Sequence, residues 1–351
     1  INFLVAKEKS NGVALIEGGY RILSLNTVVI TILFIEASYT GFIWAIIIAD
    51  ILLCSIALLT LNQKGYFKGF VINKISRPTI QAIILFGLPM MGYELSKMIH
   101  AFVDRFFIES FINSHALGLY TAPYNMAMII GGLLLTGLST AVVPYYLGIW
   151  NEHGKRKTEL ALRGINRFLL LFAPPVILGL YAISKPIMTL LTTSEYAEVS
   201  HLLPIIASGV ILSNCGILYA AGMQINKDSH KIFQFVLEST IINIILNIIF
   251  IPKYGIISAA INTVISYSWM AIRFYFESNK TLKVSFDFWL LFRSCCYARI
   301  MLVVIMQINL EIEIMNLTLR SLTGAVIFTC LVLIFEQDMR QLSNKLIRKV
   351  V

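Results

Sequence analysis

Apolar runs of about 20 residues, separated by short polar or charged segments, recur along the whole chain and limit its fold more than any other feature. A run of this length spans the hydrocarbon core of a bilayer as an α-helix. Ten spans follow from the apolar runs and the Pro, Gly and charged residues that interrupt them. They cover residues 13–35, 39–61, 82–103, 118–147, 164–184, 200–223, 231–251, 255–276, 287–308 and 318–336. We therefore predict an all-α, polytopic transmembrane helical bundle.

The composition of the chain supports a membrane class and argues against other classes. Of the 351 residues, 58% are hydrophobic and 13% are charged, whereas a soluble domain is about 25% charged. So few polar side chains cannot cover a globule of this size. A formal charge of +9 is explained by basic cytoplasmic loops, so we predict no nucleic-acid partner.

The distribution of Lys and Arg orients the spans. With the N-terminus inside, the inside segments hold 18 of the 28 basic residues and the outside segments hold three, Arg105, Lys185 and Lys253. Cytoplasmic loops of membrane proteins carry such an excess. We therefore predict a multi-pass protein of the plasma membrane, with the N-terminus of this chain and the C-terminus both cytoplasmic.

The short connections and the cysteines argue against an enzyme, a metal site or a cofactor. No connecting loop exceeds about 17 residues, which is too short for a soluble catalytic domain between spans of this length. All five cysteines fall in apolar segments, and none is spaced with His as a ligand cluster. Among the prolines inside spans are Pro89, Pro174 and Pro175, and each serves either a broken transport helix or plain helix packing.

The stretch "GYELSKMIHAFVDRF", residues 92–106, places five ionisable groups inside an apolar span. At 100° per residue, Glu94, Lys97, Asp104 and Arg105 occupy about a third of the helix circumference, and His100 lies just outside this stripe. A charge that faces lipid at mid-bilayer costs at least ~2.5–3.5 kcal/mol. The charged stripe should therefore face a water-filled cavity or charged partners.

Depth in the bilayer separates the members of the charged stripe. Glu94 lies about 18 Å from the inner entry of its span, a little past the midplane. Asp104 and Arg105 lie at the outer rim, where we expect them to be solvated. Glu94 and Lys97 are therefore the informative pair, either as a buried structural ion pair at i, i+3 or as the lining of a hydrophilic pathway. The continuation of the stripe towards the outer mouth favours the pathway.

Other predicted spans also carry charged or amide side chains, and such groups are functional candidates by default. The residues that we expect to line a cavity are Arg21, Asp50, Glu94, Lys97, Asp104, Arg105, Asn243, Asn247 and Arg299. The carboxylates of Glu94, Asp50 and Glu238 are candidates for coupling to H⁺ or Na⁺. Because Arg and Lys accompany only a few carboxylates, the cavity suits an anionic, polar cargo.

Several motifs occur in the order found in one transporter family. They are "ILFGLPMM" from Ile84, "VDRFFI" from Val103, "ALGLYTAPYNMA" from Ala116, "VVPYY" from Val142 and "NIILNIIFIPKYGIISAAINTVISY" from Asn243. This order resembles the polysaccharide (O-antigen, exopolysaccharide, teichoic acid) flippases, the Wzx-type branch of the MOP superfamily that includes the MATE drug exporters. Ser258 stands where the family often has Gly, and the clustered cavity arginines of the lipid II branch are not seen.

The resemblance implies a MATE-like architecture of two lobes around a central cavity. Because members have about fourteen spans, it also implies that this chain is N-terminally incomplete. On this basis residues 1–61 end the N-terminal lobe, and 62–79 form a basic cytoplasmic linker. Residues 80–276 form a six-span C-terminal lobe, and 277–351 hold two extra spans and a basic tail.

The function that the resemblance implies is the flipping of an undecaprenyl-diphosphate-linked oligosaccharide repeat unit across the bacterial inner membrane by alternating access. Cationic side chains in the cavity would attract the diphosphate and the sugars. Two alternatives remain. A MATE-like exporter of small cationic molecules requires a negatively charged cavity, and a membrane-embedded O-antigen polymerase or glycosyltransferase requires long outer loops.

Overall fold

The computed structural model describes residues 10–34, 38–63, 77–310 and 312–336, and every regular element in these ranges is an α-helix. Within these helices, the side chains of some residues are not described. They are residues 10–18, 20, 21, 34, 39, 57, 60–63, 79, 82, 83, 86, 132–140 and 194. The all-α prediction is therefore confirmed for the described part of the chain. The chain divides into two compact units, Ile1–Ile80 and Gln81–Val351.

The first unit contains two helices, α1 (Ser10–Phe34) and α2 (Tyr39–Gln63), which pack against each other. Ser38 precedes α2, and its hydroxyl accepts a hydrogen bond of 3.1 Å from the backbone N–H of Gly41. Serine is favoured at this N-terminal position because its side chain satisfies a backbone N–H group that has no partner within the helix. Local chemistry thus sets the start of α2.

The second unit is a bundle of long helices with a few short ones. Its elements are α3 (Arg77–Phe111), α4 (Ser114–Leu191), α5 (Ser194–Glu198), α6 (Leu202–Tyr219), α7 (Ala221–Ile225), α8 (Ser229–Tyr254), α9 (Ile256–Ser278), α10 (Phe288–Ile305) and α11 (Glu313–Phe335). In the described residues, the ten predicted spans coincide largely with helices, and two of them, 118–147 and 164–184, both fall on α4.

Two glycines make the sharp turns of this bundle. Gly154 interrupts α4 with φ 71° and so divides it into two helices, and Gly255 joins α8 to α9 with φ 66°. Both φ values lie in the left-handed region, which a residue without Cβ adopts at little cost. The turn at Gly154 lies between the two predicted spans of α4, as the span assignment requires.

Membrane-spanning character is evident from length and composition. Within the described residues, five helical segments are long and apolar enough to cross a bilayer. They are Ala141–Leu191, Leu202–Tyr219, Ser229–Tyr254, Phe288–Ile305 and Glu313–Phe335. The chain is therefore an integral membrane protein built as an all-α bundle.

Prolines in α4 create the docking points for the last two helices. Pro175 and Pro186 have no N–H group, so the carbonyls of Leu171 and Ala182, four residues earlier, lack their usual helical partner. The hydroxyl of Ser294 on α10 donates to the Leu171 carbonyl at 2.5 Å. Arg320 on α11 donates from Nη1 to the Ala182 carbonyl at 2.7 Å. Of the two roles left open for the intra-span prolines, packing is thus observed at Pro175.

The prediction of four domains is not settled by these contacts. In the structure, α10 and α11 pack against α4 within the second unit. Most of the predicted linker, residues 64–76, and the basic tail, residues 337–351, lie outside the described residues. The division into 1–61, 62–79, 80–276 and 277–351 stays a prediction.

Arg320→Ala should destabilise the second unit. The guanidinium also donates from Nε and Nη2 to the carbonyl of Ile308, at 2.9 and 2.8 Å, and hydrogen bonds to a charged group contribute about 1.5–3 kcal/mol. We expect a loss of about 2 kcal/mol, measured as a lower thermal unfolding midpoint in detergent. Arg163→Ala, at an exposed arginine, is the control. Equal midpoints for the two variants would contradict this role of Arg320.

Candidate functional site

Glu94 and Lys97 of the charged stripe form an ion pair, and both side chains are exposed. Lys97 Nζ lies 3.3 Å from Glu94 Oε2, and the two side chains are 47% and 65% exposed. Lys97 also lies over the ring of Tyr93, 5.0 Å from its centroid. The pair is therefore not sealed in a dry helix contact.

Asp104 is placed differently from the sequence-based expectation. It is 0% exposed, so the expectation of a solvated rim position is wrong for this residue. Its carboxylate accepts hydrogen bonds from the hydroxyl of Tyr120 and, at 2.8 Å, from the backbone N–H of Arg105. Tyr120 lies on α4, and the sequence of α3 alone carries no sign of this partner.

The guanidinium of Arg105 contacts residues of α4. Its Nη2 donates to Asn125 Oδ1 at 3.3 Å, and its guanidinium lies 4.3 Å from the ring centroid of Tyr124. Such cation–π contacts contribute about 0.5–1 kcal/mol at exposed sites. Asp104 and Arg105 thus join α3 to α4.

His100, which the helical-wheel analysis placed outside the stripe, has a more central position. It is 2% exposed and stacks on Tyr267 with ring centroids 4.1 Å apart. Its Nε2 lies 2.9 Å from the hydroxyl of Ser266. Its Nδ1 is buried and has no hydrogen-bond partner among the described residues.

The predicted pair Asn243 and Asn247 extends the polar contacts of His100 into the bundle. Asn243 Nδ2 donates to the Ser266 hydroxyl at 3.3 Å, and Asn247 Nδ2 donates to Asn243 Oδ1 at 3.0 Å. Asn262 Nδ2 donates in turn to Asn247 Oδ1 at 3.0 Å. All three asparagines are buried. We call the chain from His100 through Ser266, Asn243 and Asn247 to Asn262 the polar chain.

A cavity of about 580 Å³ lies inside the second unit, between α3, α4 and α6–α9. Ligand pockets commonly have about 300–1,000 Å³. Among the described residues, the polar groups on its wall include Tyr93, Lys97, His100, Asn214, Gln224 and Lys227, and no carboxylate lines it. Lys227 is one of the 18 basic residues of the predicted inside segments. Neither Asn214 nor Gln224 was a predicted site residue, because apolar periodicity does not show which helices meet.

The remaining predicted site residues are not among the described residues that line the cavity. Asp50 is exposed on α2, and the side chain of Arg21 is outside the described residues. Arg299 is exposed on α10. Glu238 is held by Arg273 Nη1 at 2.8 Å and accepts a hydrogen bond from Gln234 at 3.1 Å. Within the described ranges, no cluster of three or more His, Cys, Asp or Glu side chains could hold a metal ion.

Ion pairs join the start of α8 to the end of α9, at the end of the cavity where Lys227 lies. Lys231 Nζ lies 2.9 Å from Glu277 Oε1, and Lys280 Nζ lies 2.7 Å from Glu277 Oε2. The hydrogen bonds from Lys280 and Lys231 lower the pKa of Glu277. Glu277 therefore stays ionised below the usual range of a glutamate and fastens the end of α9 to the start of α8.

These features define a class: an integral membrane protein whose helices form a cavity with a mostly apolar wall that includes two lysines. The sequence model described as "Polysaccharide biosynthesis protein" matches residues 20–201, which are 182 of the 351 residues. The chain belongs to this family. The family resemblance predicted from the motif order is confirmed.

Relatives from archaea and bacteria match parts of the chain. The "Probable low-salt glycan biosynthesis flippase Agl15" of Haloferax volcanii is 22% identical over 48% of this chain and 36% of its own length. The "Capsular polysaccharide biosynthesis protein CapF" of Staphylococcus aureus is 23% identical over 58% of this chain and 51% of its own. The "Uncharacterized membrane protein MJ1068" of Methanocaldococcus jannaschii is 23% identical over 64% and 44%. The chain spans about a third to a half of these relatives.

A solved structure has the same fold. The "Lipid II flippase MurJ, inward closed conformation" superposes with a TM-score of 0.70 at 19% identity, over 91% of this chain and 66% of that chain. At this identity the likeness concerns the fold alone. The chain thus shares the helical fold of that structure.

Tyr120→Phe should destabilise the contact between α3 and α4. It removes one oxygen and leaves the buried Asp104 carboxylate without its hydroxyl donor, at an expected cost of about 2 kcal/mol. Thermal unfolding in detergent measures the loss. Tyr145→Phe, at a tyrosine that is 56% exposed, is the matched control and should change little. Equal stability of the two variants would show that the Tyr120 hydroxyl contributes nothing.

Proposed function

We propose that the protein flips a lipid-linked oligosaccharide from the inner to the outer leaflet of a membrane. The carrier would be undecaprenyl diphosphate and the membrane the bacterial inner membrane, with both ends of this chain cytoplasmic. The observation that carries the proposal is the cavity lined by Lys97 and Lys227, inside a bundle of membrane-spanning helices. Membership of the polysaccharide biosynthesis family and the flippase names of similar proteins support it.

The charge of the cavity wall favours an anionic cargo. Lys97 and Lys227 line the cavity, and no carboxylate lines it among the described residues. An exporter of small cations would need the opposite charge, because like charges in a site of low polarity repel strongly. A carrier-linked oligosaccharide is an anionic cargo with many hydroxyl groups, and the lysines and the amides of Asn214 and Gln224 can bind negatively charged groups and hydroxyl groups of a glycan.

Transport rather than catalysis also fits the short connections of the second unit. Only Ile112 and Asn113 separate α3 from α4, and a few residues around α5 separate α4 from α6. A polymerase or glycosyltransferase would need outer loops that present acid–base groups. We therefore infer that the protein is not an enzyme and that the lipid tail of the cargo stays in the bilayer while its head group crosses by alternating access.

Lys97→Ala should reduce glycan export by at least about tenfold, because one charge-assisted contact with the cargo contributes about 1.5–3 kcal/mol. Surface glycan would be measured in a deletion strain that carries the complete gene with this change. Lys185→Ala, at an exposed lysine away from the cavity, is the control. Membrane levels of both variants would be compared by immunoblot. Export at the wild-type rate by Lys97→Ala would refute the role of Lys97.

Coupling to H⁺ or Na⁺ would use a carboxylate that an ion can reach. Glu94 is exposed and paired only loosely with Lys97 at 3.3 Å, and Asp50 is exposed on α2. At Glu238 an incoming ion would have to displace Arg273. We therefore propose Glu94 and Asp50 ahead of Glu238 as coupling residues.

Glu94→Gln should abolish the response of flipping to an imposed proton or sodium gradient, because the amide cannot bind either ion as a carboxylate does. Flipping of a lipid-linked oligosaccharide would be measured in vesicles with and without each gradient. Glu198→Gln, at an exposed residue of α5, should keep the wild-type response. If Glu94→Gln keeps that response too, Glu94 has no part in coupling.

A further inference from the structure

The cavity of the second unit has two cationic positions at different depths. Thr240 on α8 donates a hydrogen bond of 3.1 Å to the carbonyl of Ser96, so Lys97 lies near the level of Thr240. Lys227 lies just before Ser229, the first residue of α8. At ~1.5 Å per residue, Ser229 and Thr240 differ in depth by about 16 Å. The two lysines therefore lie on the cavity wall about 16 Å apart along the bundle.

The lysine spacing does not suit a diphosphate. A diphosphate concentrates several negative charges within a few ångströms, and proteins commonly hold it with arginine forks or with several cations together. Among the described residues no arginine lines this cavity. The charge of Lys97 is already shared with Glu94 at 3.3 Å. Lys227 forms no ion pair with any described residue and supplies one full positive charge, which matches a single carboxylate.

The uncharged groups of the cavity suit a sugar ring. Tyr93 and Tyr267 present aromatic rings, and Asn214 and Gln224 present amides. The Asn214 amide donates to the carbonyl of Val210 at 2.8 Å, which leaves its Oδ1 to accept from a ligand. The Gln224 Oε1 accepts from the Tyr146 hydroxyl, which leaves its Nε2 to donate.

His100 supplies a further unused polar atom at the buried part of this wall. Its side chain is 2% exposed, it lines the cavity, and its Nδ1 has no partner among the described residues. A buried polar atom without a partner costs about 1–3 kcal/mol, and a ligand hydroxyl would remove that cost. Tyr267 and Ser266 fix the ring from its other sides.

From these contacts we infer that the cavity is a saccharide subsite for a sugar with one negative charge, such as a uronic acid. Lys227 binds its carboxylate, and His100 Nδ1 and the amides of Asn214 and Gln224 bind hydroxyl groups. This inference rests on the proposed function and adds to it the chemical class of the glycan. The diphosphate of the carrier binds outside this cavity.

Sugar binding by the purified protein tests the inference without any transport assay. The complete protein in nanodiscs of neutral lipid would be titrated with D-glucuronate, D-glucose and inorganic diphosphate, and binding followed by saturation-transfer NMR. Glucuronate should bind about tenfold more tightly than glucose, because only it forms a charge-assisted hydrogen bond with Lys227. Diphosphate should not displace it at equal concentration.

Two pairs of variants assign the contacts. Lys227→Gln should weaken glucuronate binding to the level of glucose, whereas Lys253→Gln, at an exposed lysine outside the cavity, should leave it unchanged. His100→Phe keeps the stacking on Tyr267 and should weaken both sugars several-fold. His153→Phe, at an exposed histidine outside the cavity, should retain them. Thermal unfolding would show whether each variant is folded.

Three results would overturn the inference: no detectable binding of glucuronate, equal binding of glucuronate and glucose, or displacement of glucuronate by diphosphate at equal concentration. Unchanged affinity in folded Lys227→Gln would remove Lys227 from the site. None of these results bears on flipping itself, because export in the deletion strain is measured separately. Loss of export in Lys97→Ala with equal sugar affinities would leave the proposed function standing and the acidic-sugar inference refuted.

Discussion

Inside a bilayer no solvent is available to satisfy polar groups, so each must find a partner within the protein. This constraint explains the arrangement of the second unit. The carboxylate of Asp104 is satisfied by Tyr120 and by a backbone N–H group, and three asparagines satisfy one another along the polar chain. Even the carbonyls that Pro175 and Pro186 set free find donors on neighbouring helices. Among the described residues, four buried side-chain atoms have no hydrogen-bond partner, and one of them, His100 Nδ1, belongs to a residue that lines the cavity.

The helices of this protein were predictable from sequence because the physical signal is local. A run of about 20 apolar residues specifies a span by itself, and the ten predicted spans coincide largely with helices in the residues that the structure describes. The turn at Gly154 and the corner at Gly255 also follow from local chemistry, since both glycines adopt φ values that other residues avoid. The positions of Glu94 and Lys97 on one accessible face agree with simple helical geometry.

The site was less predictable because it depends on which helices meet. Helical angles placed Asp104 with the solvated charges, but its partner Tyr120 comes from α4 and buries it. The same angles excluded His100, which lies on the cavity wall because α9 brings Ser266 and Tyr267 against it. Lys227 gave no signal beyond the charge of an inside loop. The match to the family covers residues 20–201, so it reaches α3 but none of these partners on α9.

The fastening of α10 and α11 to the second half of α4 has a mechanical consequence. Ser294 and Arg320 hold carbonyls on either side of one stretch of α4, between Leu171 and Ala182. We expect the second half of α4, α10 and α11 to move as one rigid body because they are joined in this way. We therefore expect α4 to bend most easily at Gly154, where it lacks regular helical geometry, and α10 and α11 to move together with the segment of α4 that they contact.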